Sequence, residues 1–177
     1  MKYRAYKEYK DSGVEWLGEI PRNWQLSRHK YIANFKKGKN PAVLLDDELE
    51  GTYRYLSMDY LRGNSEPTYA RKESNSYISK EGQPLIIWDG SNAGEFVKAK
   101  GGIVSSTMAA SELIAEINEG FYWYACVCLE PEMRKHSNGM GIPHVDGSEL
   151  KGSIIPIPEK TTQQTIANFL DYETAKI

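Results

Sequence analysis

Cysteine is scarce: Cys126 and Cys128 are the only two in 177 residues. A lone C-x-C pair has no second pair to complete a structural zinc site. In a reducing compartment such thiols stay reduced, so both are expected to be buried thiols in an apolar segment. Histidine is scarce as well. His29, His136 and His144 are too scattered to suggest a metal centre, and each is expected to be a surface or hydrogen-bonding residue. Long hydrophobic runs are missing. The longest, residues 121–129, falls far short of the roughly 20 apolar residues that a membrane helix needs, and residues 1–10 are polar and lack the apolar stretch of a secretory signal. These absences predict a cytoplasmic chain with no membrane partner. Internal repeats and low-complexity tracts are absent too.

Several catalytic signatures are also missing. The Asn/Asp-Pro-Pro-aromatic motif that lets a methyltransferase hold a base amine does not occur, nor does the G-x-x-x-x-G-K-[ST] loop that wraps phosphates in backbone N–H groups. Gly90-Ser91-Asn92-Ala93-Gly94 resembles an esterase elbow only superficially, because its serine directly follows the first glycine. It reads instead as a tight turn between strands. A metal-dependent nuclease could use Asp89, Glu95 and Lys98, with carboxylates on Mg²⁺ and a lysine on the attacked phosphate. The spacing argues against it: Glu95 and Lys98 are three apart and would point to opposite faces of a strand.

What is present is a globular composition, 40% apolar and 11% aromatic, in a chain long enough to bury a core of its own. The net charge of −2 excludes a simple polycationic nucleic-acid binder. The charge is unevenly placed. Residues 1–39 hold ten Lys/Arg against four Asp/Glu, and residues 40–177 hold twelve against twenty. That asymmetry suits one side facing DNA and another facing protein, and it equally suits ordinary solvated surface.

Along the chain, residues 2–18 show no clean period and predict an irregular N-terminal arm pinned by Trp16 and Trp24. Residues 25–35 predict a short strand or helix leading into a basic turn at Lys36, Lys37, Gly38 and Lys39, and residues 46–51 an acidic loop. Alternation over residues 53–59 is a strand signature, whereas residues 61–74 read as polar and turn-rich. Residues 84–88 form a compact apolar run suited to a buried strand. Turns at residues 89–94 and at Gly101-Gly102 would then join returning strands over 96–98 and 103–108 into a meander. A further strand is expected over 113–117, broken by Gly120. Residues 121–129 are ambiguous between helix and buried strand. Strands in a meander with segregated helices point to an α+β fold.

The last forty residues carry the most specific pattern. Gly139 and Gly141 free the backbone, Pro143 stiffens it, and residues 154–158 read as a short β edge closed by two prolines. A helix is expected next, with Thr161 and Gln164 at capping-box spacing and Ile166, Phe169, Leu170 and Ile177 on one face. No stop signal follows, so the helix is expected to continue in a longer protein.

Ile155-Pro156-Ile157-Pro158 followed by Gln163-Gln164-Thr165-Ile166-Ala167-Asn168-Phe169-Leu170-Asp171 resembles the junction in type I restriction-modification specificity subunits where a target-recognition domain meets a coiled-coil helix. The family usually has Glu where this chain has Gln163. The stretch from Tyr9 to Trp24, with Ser12-Gly13-Val14-Glu15-Trp16-Leu17-Gly18-Glu19-Ile20-Pro21 at its heart, is similar to the beginning of the same subunits. The two signatures together frame nearly the whole chain.

The resemblance implies an N-terminal target-recognition domain over residues 1–160 and the truncated start of a spacer helix over 161–177. It implies a mixed, mainly antiparallel twisted sheet with flanking helices, including a helix over 121–129 with Pro131 just past its end. It implies a non-catalytic chain that binds no cofactor. Separate methylase and restriction subunits would bring S-adenosylmethionine, ATP and Mg, while this domain selects one half of a bipartite site in double-stranded DNA. A second target-recognition domain, or a second copy, would select the other. Ile166, Phe169, Leu170 and Ile177 would form the helix-packing face.

Bases are read by side chains at their edges and register is held by Lys/Arg on phosphates. The loops offer Lys36, Lys37 and Lys39 for phosphates, Tyr60, Arg62, Asn64, Ser91 and Asn92 for bases, and Lys98 and Lys100 beside the next turn. Three alternatives stay open: a stand-alone half-subunit that dimerises, the nuclease above, and a purely protein-binding module.

Overall fold

Three successive apolar residues, Leu85, Ile86 and Ile87, are all fully buried, which a strand achieves only when both of its faces are covered. The computed structural model, which describes residues 5–135 and 142–176, shows how. Strand β7 (Ile78–Ile87) lies inside a six-stranded sheet built with β4 (Ala33–Lys37), β5 (Thr52–Leu56), β6 (Thr68–Arg71), β8 (Phe96–Val104) and β9 (Met108–Leu113) in the order β4-β9-β7-β8-β5-β6. The β5 to β8 ladder is parallel and the other ladders of this sheet are antiparallel.

Side chains alternate across a strand, so the sheet separates two cores. On one face Ile86, with its partners Phe96 and Ala109, packs with Tyr122, Cys126, Leu129 and Met133 of helix α2 (Glu119–Lys135). On the other, Leu85, Ile87, Ala99, Met108 and Ala110 pack with Leu56 and with Met58, Tyr60 and Leu61 of the short helix α1 (Met58–Leu61). Each buried Leu, Ile or Phe contributes about 1.5–3 kcal/mol relative to exposure.

Two small sheets complete the β structure: β1 (Tyr9–Asp11) with β2 (Glu19–Pro21), and β3 (Gln25–Arg28) with β10 (Ile154–Ile157). The second joins the proline-closed edge near the C-terminus to the segment after the N-terminal arm. A 3-10 turn (His29–Tyr31) then places His29 under α2 and beside helix α3 (Gly147–Gly152). His29 is fully buried. Its Nε2 shares a hydrogen bond of 2.7 Å with the Tyr122 hydroxyl, which is also joined to Ser111 on β9. Its Nδ1 faces the Leu150 backbone without reaching hydrogen-bond geometry. Burial pushes the imidazole down to about 4, so it is neutral at physiological pH.

Several expectations need correction. The N-terminal arm forms the β1–β2 hairpin, although Trp24 does anchor it edge-on to Tyr6 and Trp16 packs against the main core. Lys36 and Lys37 end strand β4 rather than lying in a turn. The strand expected over 53–59 stops at Leu56, because Ser57 accepts from the Tyr60 N–H and caps α1. The stretch 61–74 contains β6. Gly101-Gly102 does not turn: β8 runs through it, and a Cβ at Gly102 would lie 2.2 Å from the Arg54 carbonyl oxygen, so glycine lets β5 approach. The strand expected over 113–117 is already finished at Leu113. Residues 121–129 are helical, but α2 extends through Pro131, with buried Leu129 and Met133 on either side holding that turn. Asn118 starts this helix by accepting from the Phe121 N–H at 2.8 Å. Cys126 is buried as expected, whereas Cys128 is exposed.

Helix α4 (Lys160–Thr174) begins without a side-chain cap, so the Thr161–Gln164 box does not form. Gln163 is buried instead. Its Nε2 donates to the Pro158 carbonyl and its Oε1 accepts from the Asn118 N–H, each at 2.8 Å. Only a neutral amide can do both. The face turned to α2 is thus Gln163 and Ala167, continued by Asp171 and Thr174, which both reach the Tyr124 hydroxyl. Ile166 and Leu170 are half-buried and Phe169 is exposed, so the predicted packing stripe is left partly open by this domain. Ile177, His136, Gly139 and Gly141 lie outside the described residues.

Candidate nucleic-acid interface

Glycine builds the first part of the site. A Cβ on Gly38 would fall 2.2 Å from the carbonyl oxygens of both Val104 and Ser105. Only glycine therefore lets the segment after β4 lie on the β8–β9 loop, where Gly38 N–H bonds to Met108 and Lys39 N–H to Val104. Asn40 follows. Its Oδ1 accepts from the Tyr55 hydroxyl at 2.8 Å and from the Ser106 N–H at 2.9 Å, tying β5 and two loops together. Burial holds the Tyr55 phenol above its ordinary range, so it remains a donor.

Segments distant in sequence thus converge at one end of the sheet's inner strands around a shallow cleft of about 340 Å³. Its polar lining comes from Tyr55, Ser57, Asp89, Ser91, Asn92, Ser105 and Thr107, with Met58 and Ile87 as apolar floor. The 89–94 turn is anchored from behind: Gly90 N–H donates to Pro143, Val145 N–H to Trp88, and Asp89 bridges His144. Hydroxyls, an amide and a carboxylate in one concave surface can donate to and accept from a planar, hydrogen-bonding ligand such as the edge of a base pair.

Cations rim this end, each beside an acid. Lys37 lies 2.8 Å from Asp89 and over the Trp88 ring, Lys39 lies 3.8 Å from Glu73, and Arg62 lies 2.8 Å from Glu95, which Arg134 shares at 3.2 Å. Lys36, on the opposite face of β4 from Lys37, lies 3.9 Å from Glu112. Exposed pairs of this kind contribute at most about 1 kcal/mol, so a phosphate can compete for the cations.

Of the sequence-predicted contacts, Ser91 and Asn92 line the cleft and Lys37 reaches its rim through Asp89. Arg62 and Asn64 follow α1 and are exposed, Arg62 through its bond to Glu95. Tyr60 and Lys100 occupy each other: the ammonium donates to the Tyr60 carbonyl at 2.8 Å and sits 4.7 Å from its ring. Lys98 lies over Trp123 of α2, so its contact is with the helix layer. Sequence reasoning missed Asn40, Tyr55, Ser57, Ser105 and Thr107, and considered Asp89 only as a metal ligand. The hydroxyl run Ser105-Ser106-Thr107 between two apolar strands was the available signal.

The nuclease alternative finds no support in this geometry. Asp89 is paired with Lys37, Glu95 is held by two arginines and Lys98 stacks on Trp123, so the three side chains are directed to different partners. Among the described residues, no three His, Cys, Asp or Glu side chains gather as metal ligands, and no helix is long and apolar enough to cross a membrane.

Residues 21–177 match the family described as the type I restriction modification DNA specificity domain. Over 166 residues the chain is 37% identical to the type I restriction enzyme MjaVIII specificity subunit of Methanocaldococcus jannaschii. The alignment covers 93% of this chain and 39% of that relative, so the chain spans about two-fifths of the relative's length. Its fold is similar to that of the HsdS subunit from Thermoanaerobacter tengcongensis, with a TM-score of 0.69 at 17% identity over 95% of this chain and 40% of that one. A chain from a solved type I restriction-modification system gives a TM-score of 0.72 at 18% identity, over 95% of this chain and 41% of that one. With its mixed, mainly antiparallel sheet and flanking helices, this chain belongs to the type I restriction modification DNA specificity domain family.

Proposed function

We propose that residues 1–160 form a target-recognition domain that reads one half of a bipartite sequence in double-stranded DNA. The observation that carries this reading is the convergence of residues 55–58, 89–92 and 105–107 on one polar cleft, with Lys37 bonded to Asp89 and Asn40 to Tyr55 and Ser106 at its border. Lys39 and Arg62 hold phosphates, and Ser91, Asn92 and neighbouring side chains meet base edges in the major groove. Asn64, exposed after α1, supplies a weaker, peripheral contact, whereas Lys36, Lys98 and Lys100 are engaged by Glu112, Trp123 and Tyr60.

The chain itself catalyses nothing. Methylation and cleavage belong to methylase and restriction subunits, which carry S-adenosylmethionine, ATP and Mg. Residues 161–177 begin a spacer helix, and the face carrying the half-buried Ile166 and Leu170 receives a second helix. That helix belongs to the same polypeptide, or to a second copy if the protein is a half-subunit. The same face favours either arrangement, and the mass of the natural protein and its complex separates them.

The test is exchange of residues 1–160 into a related subunit, followed by sequencing of modified adenines across a host genome. One half of the methylated motif changes and the other stays. An unchanged motif, or change in both halves, refutes the proposal.

A further inference from the structure

Asp89 is an unusual residue to find on a surface that meets phosphates, because a carboxylate there is repelled by the backbone it approaches. Its position is nevertheless well defined. The main chain donates to Thr107 and bridges His144, and the Oδ2 atom accepts from Lys37 at 2.8 Å. The Lys37 ammonium is itself placed over the Trp88 ring. Oδ1 has no hydrogen-bond partner among the described residues, and the side chain is 35% exposed at the cleft. The result is an oriented acceptor beside Ser91 and Asn92, with its charge offset by one lysine.

Building on the target-recognition reading, we infer that Asp89 is a specificity-determining residue that accepts a hydrogen bond from the exocyclic amine of a cytosine in the major groove. In that groove guanine offers acceptors at N7 and O6, and thymine an acceptor at O4 with a methyl group, so both repel a carboxylate. Adenine offers an amine at N6, but the adjacent N7 is an acceptor that faces the second oxygen. Cytosine presents its N4 amine between the non-accepting C5–H and the partner guanine's O6, one flanking acceptor where adenine's amine has two, N7 and thymine O4, which better suits an acceptor-only side chain. Lys37 acts as the positioning residue that keeps Oδ1 toward the base.

The experiment compares wild type, Asp89→Asn and Asp89→Ala in the full-length specificity protein, co-expressed with its methylase, by sequencing modified adenines genome-wide. The alanine variant loses about tenfold discrimination at one cytosine position in one half-site. The asparagine variant gains adenine at that same position, because an amide can donate to N7 while accepting from N6. An unchanged motif in both variants overturns the inference. So does complete loss of methylation by the near-isosteric Asp89→Asn protein, since loss of a single base contact loosens only one position. Should exchange of residues 1–160 redirect a half-site while the Asp89 variants do not, this assignment alone fails. Should the exchange redirect nothing, the target-recognition reading fails first.

Discussion

Acidification should loosen this domain through one buried imidazole. His29 in the folded chain titrates at about 4, against 6.5 for an unburied histidine. Above pH 6.5 the ring is neutral in both folded and unfolded chains, and the His29–Tyr122–Ser111 contact contributes fully. As pH falls from 6.5 toward 4, the unfolded chain binds a proton that the native site refuses, and stability declines by up to about 1.4 kcal/mol per pH unit. Below about 4 both states are protonated and the loss levels off, at a total of about 3 kcal/mol. Denaturant unfolding of wild type and His29→Gln at pH 7 and pH 4.5 isolates the effect. The variant is less stable at pH 7, yet its stability falls by about 2–3 kcal/mol less between the two pH values. Equal falls in the two proteins would refute the assignment of this pH dependence to His29.

Other consequences follow from the same packing. Gln163→Glu sets a carboxylate against the Pro158 carbonyl and should cost about 1–3 kcal/mol in denaturant unfolding at pH 7; an unchanged midpoint would contradict the neutral-amide requirement. Gly38→Ala drives a methyl group into two backbone carbonyls and should lower stability by about 3 kcal/mol, with altered amide exchange in residues 37–40 and 104–108. In native protein a thiol reagent should modify Cys128 alone. Partial burial, and then nearby Glu130, push that thiol up, so the reaction should be slow at neutral pH and accelerate as pH rises, while fully buried Cys126 reacts only on unfolding. Mass spectrometry after brief labelling distinguishes the two.

The α+β class and the buried strand at residues 84–87 were legible because the central strand is apolar on both faces. The proline-closed edge and the onset of the following helix were legible from local chemistry. Local chemistry misled where a distant partner took over. Gln164 has capping-box spacing to Thr161, but its amide oxygen accepts from the Asn118 side chain, 46 positions away. Gly101-Gly102 looks like a turn, yet the pair lies within β8, with Gly102 beside Arg54. Strands β1 and β6 are three and four residues long, too short for alternation to emerge from polar surroundings. At the cleft, the turn 89–94 and the basic residues 36–39 could be singled out by residue type. Asn40 and Tyr55 could not, because their places depend on distant partners: Asn40 and Ser106 meet across 66 positions.

In the proposed target-recognition domain, the surface holding Lys37, Asp89 and Asn92 is the one that touches DNA. Photo-crosslinking tests this claim directly, with a benzophenone side chain placed at position 92 or at position 172 on the exposed side of α4, in the assembled specificity–methylase complex on its methylated sequence. Crosslinks to the duplex from position 92 and none from 172 are predicted. Crosslinking from 172 with none from 92 would contradict the claim.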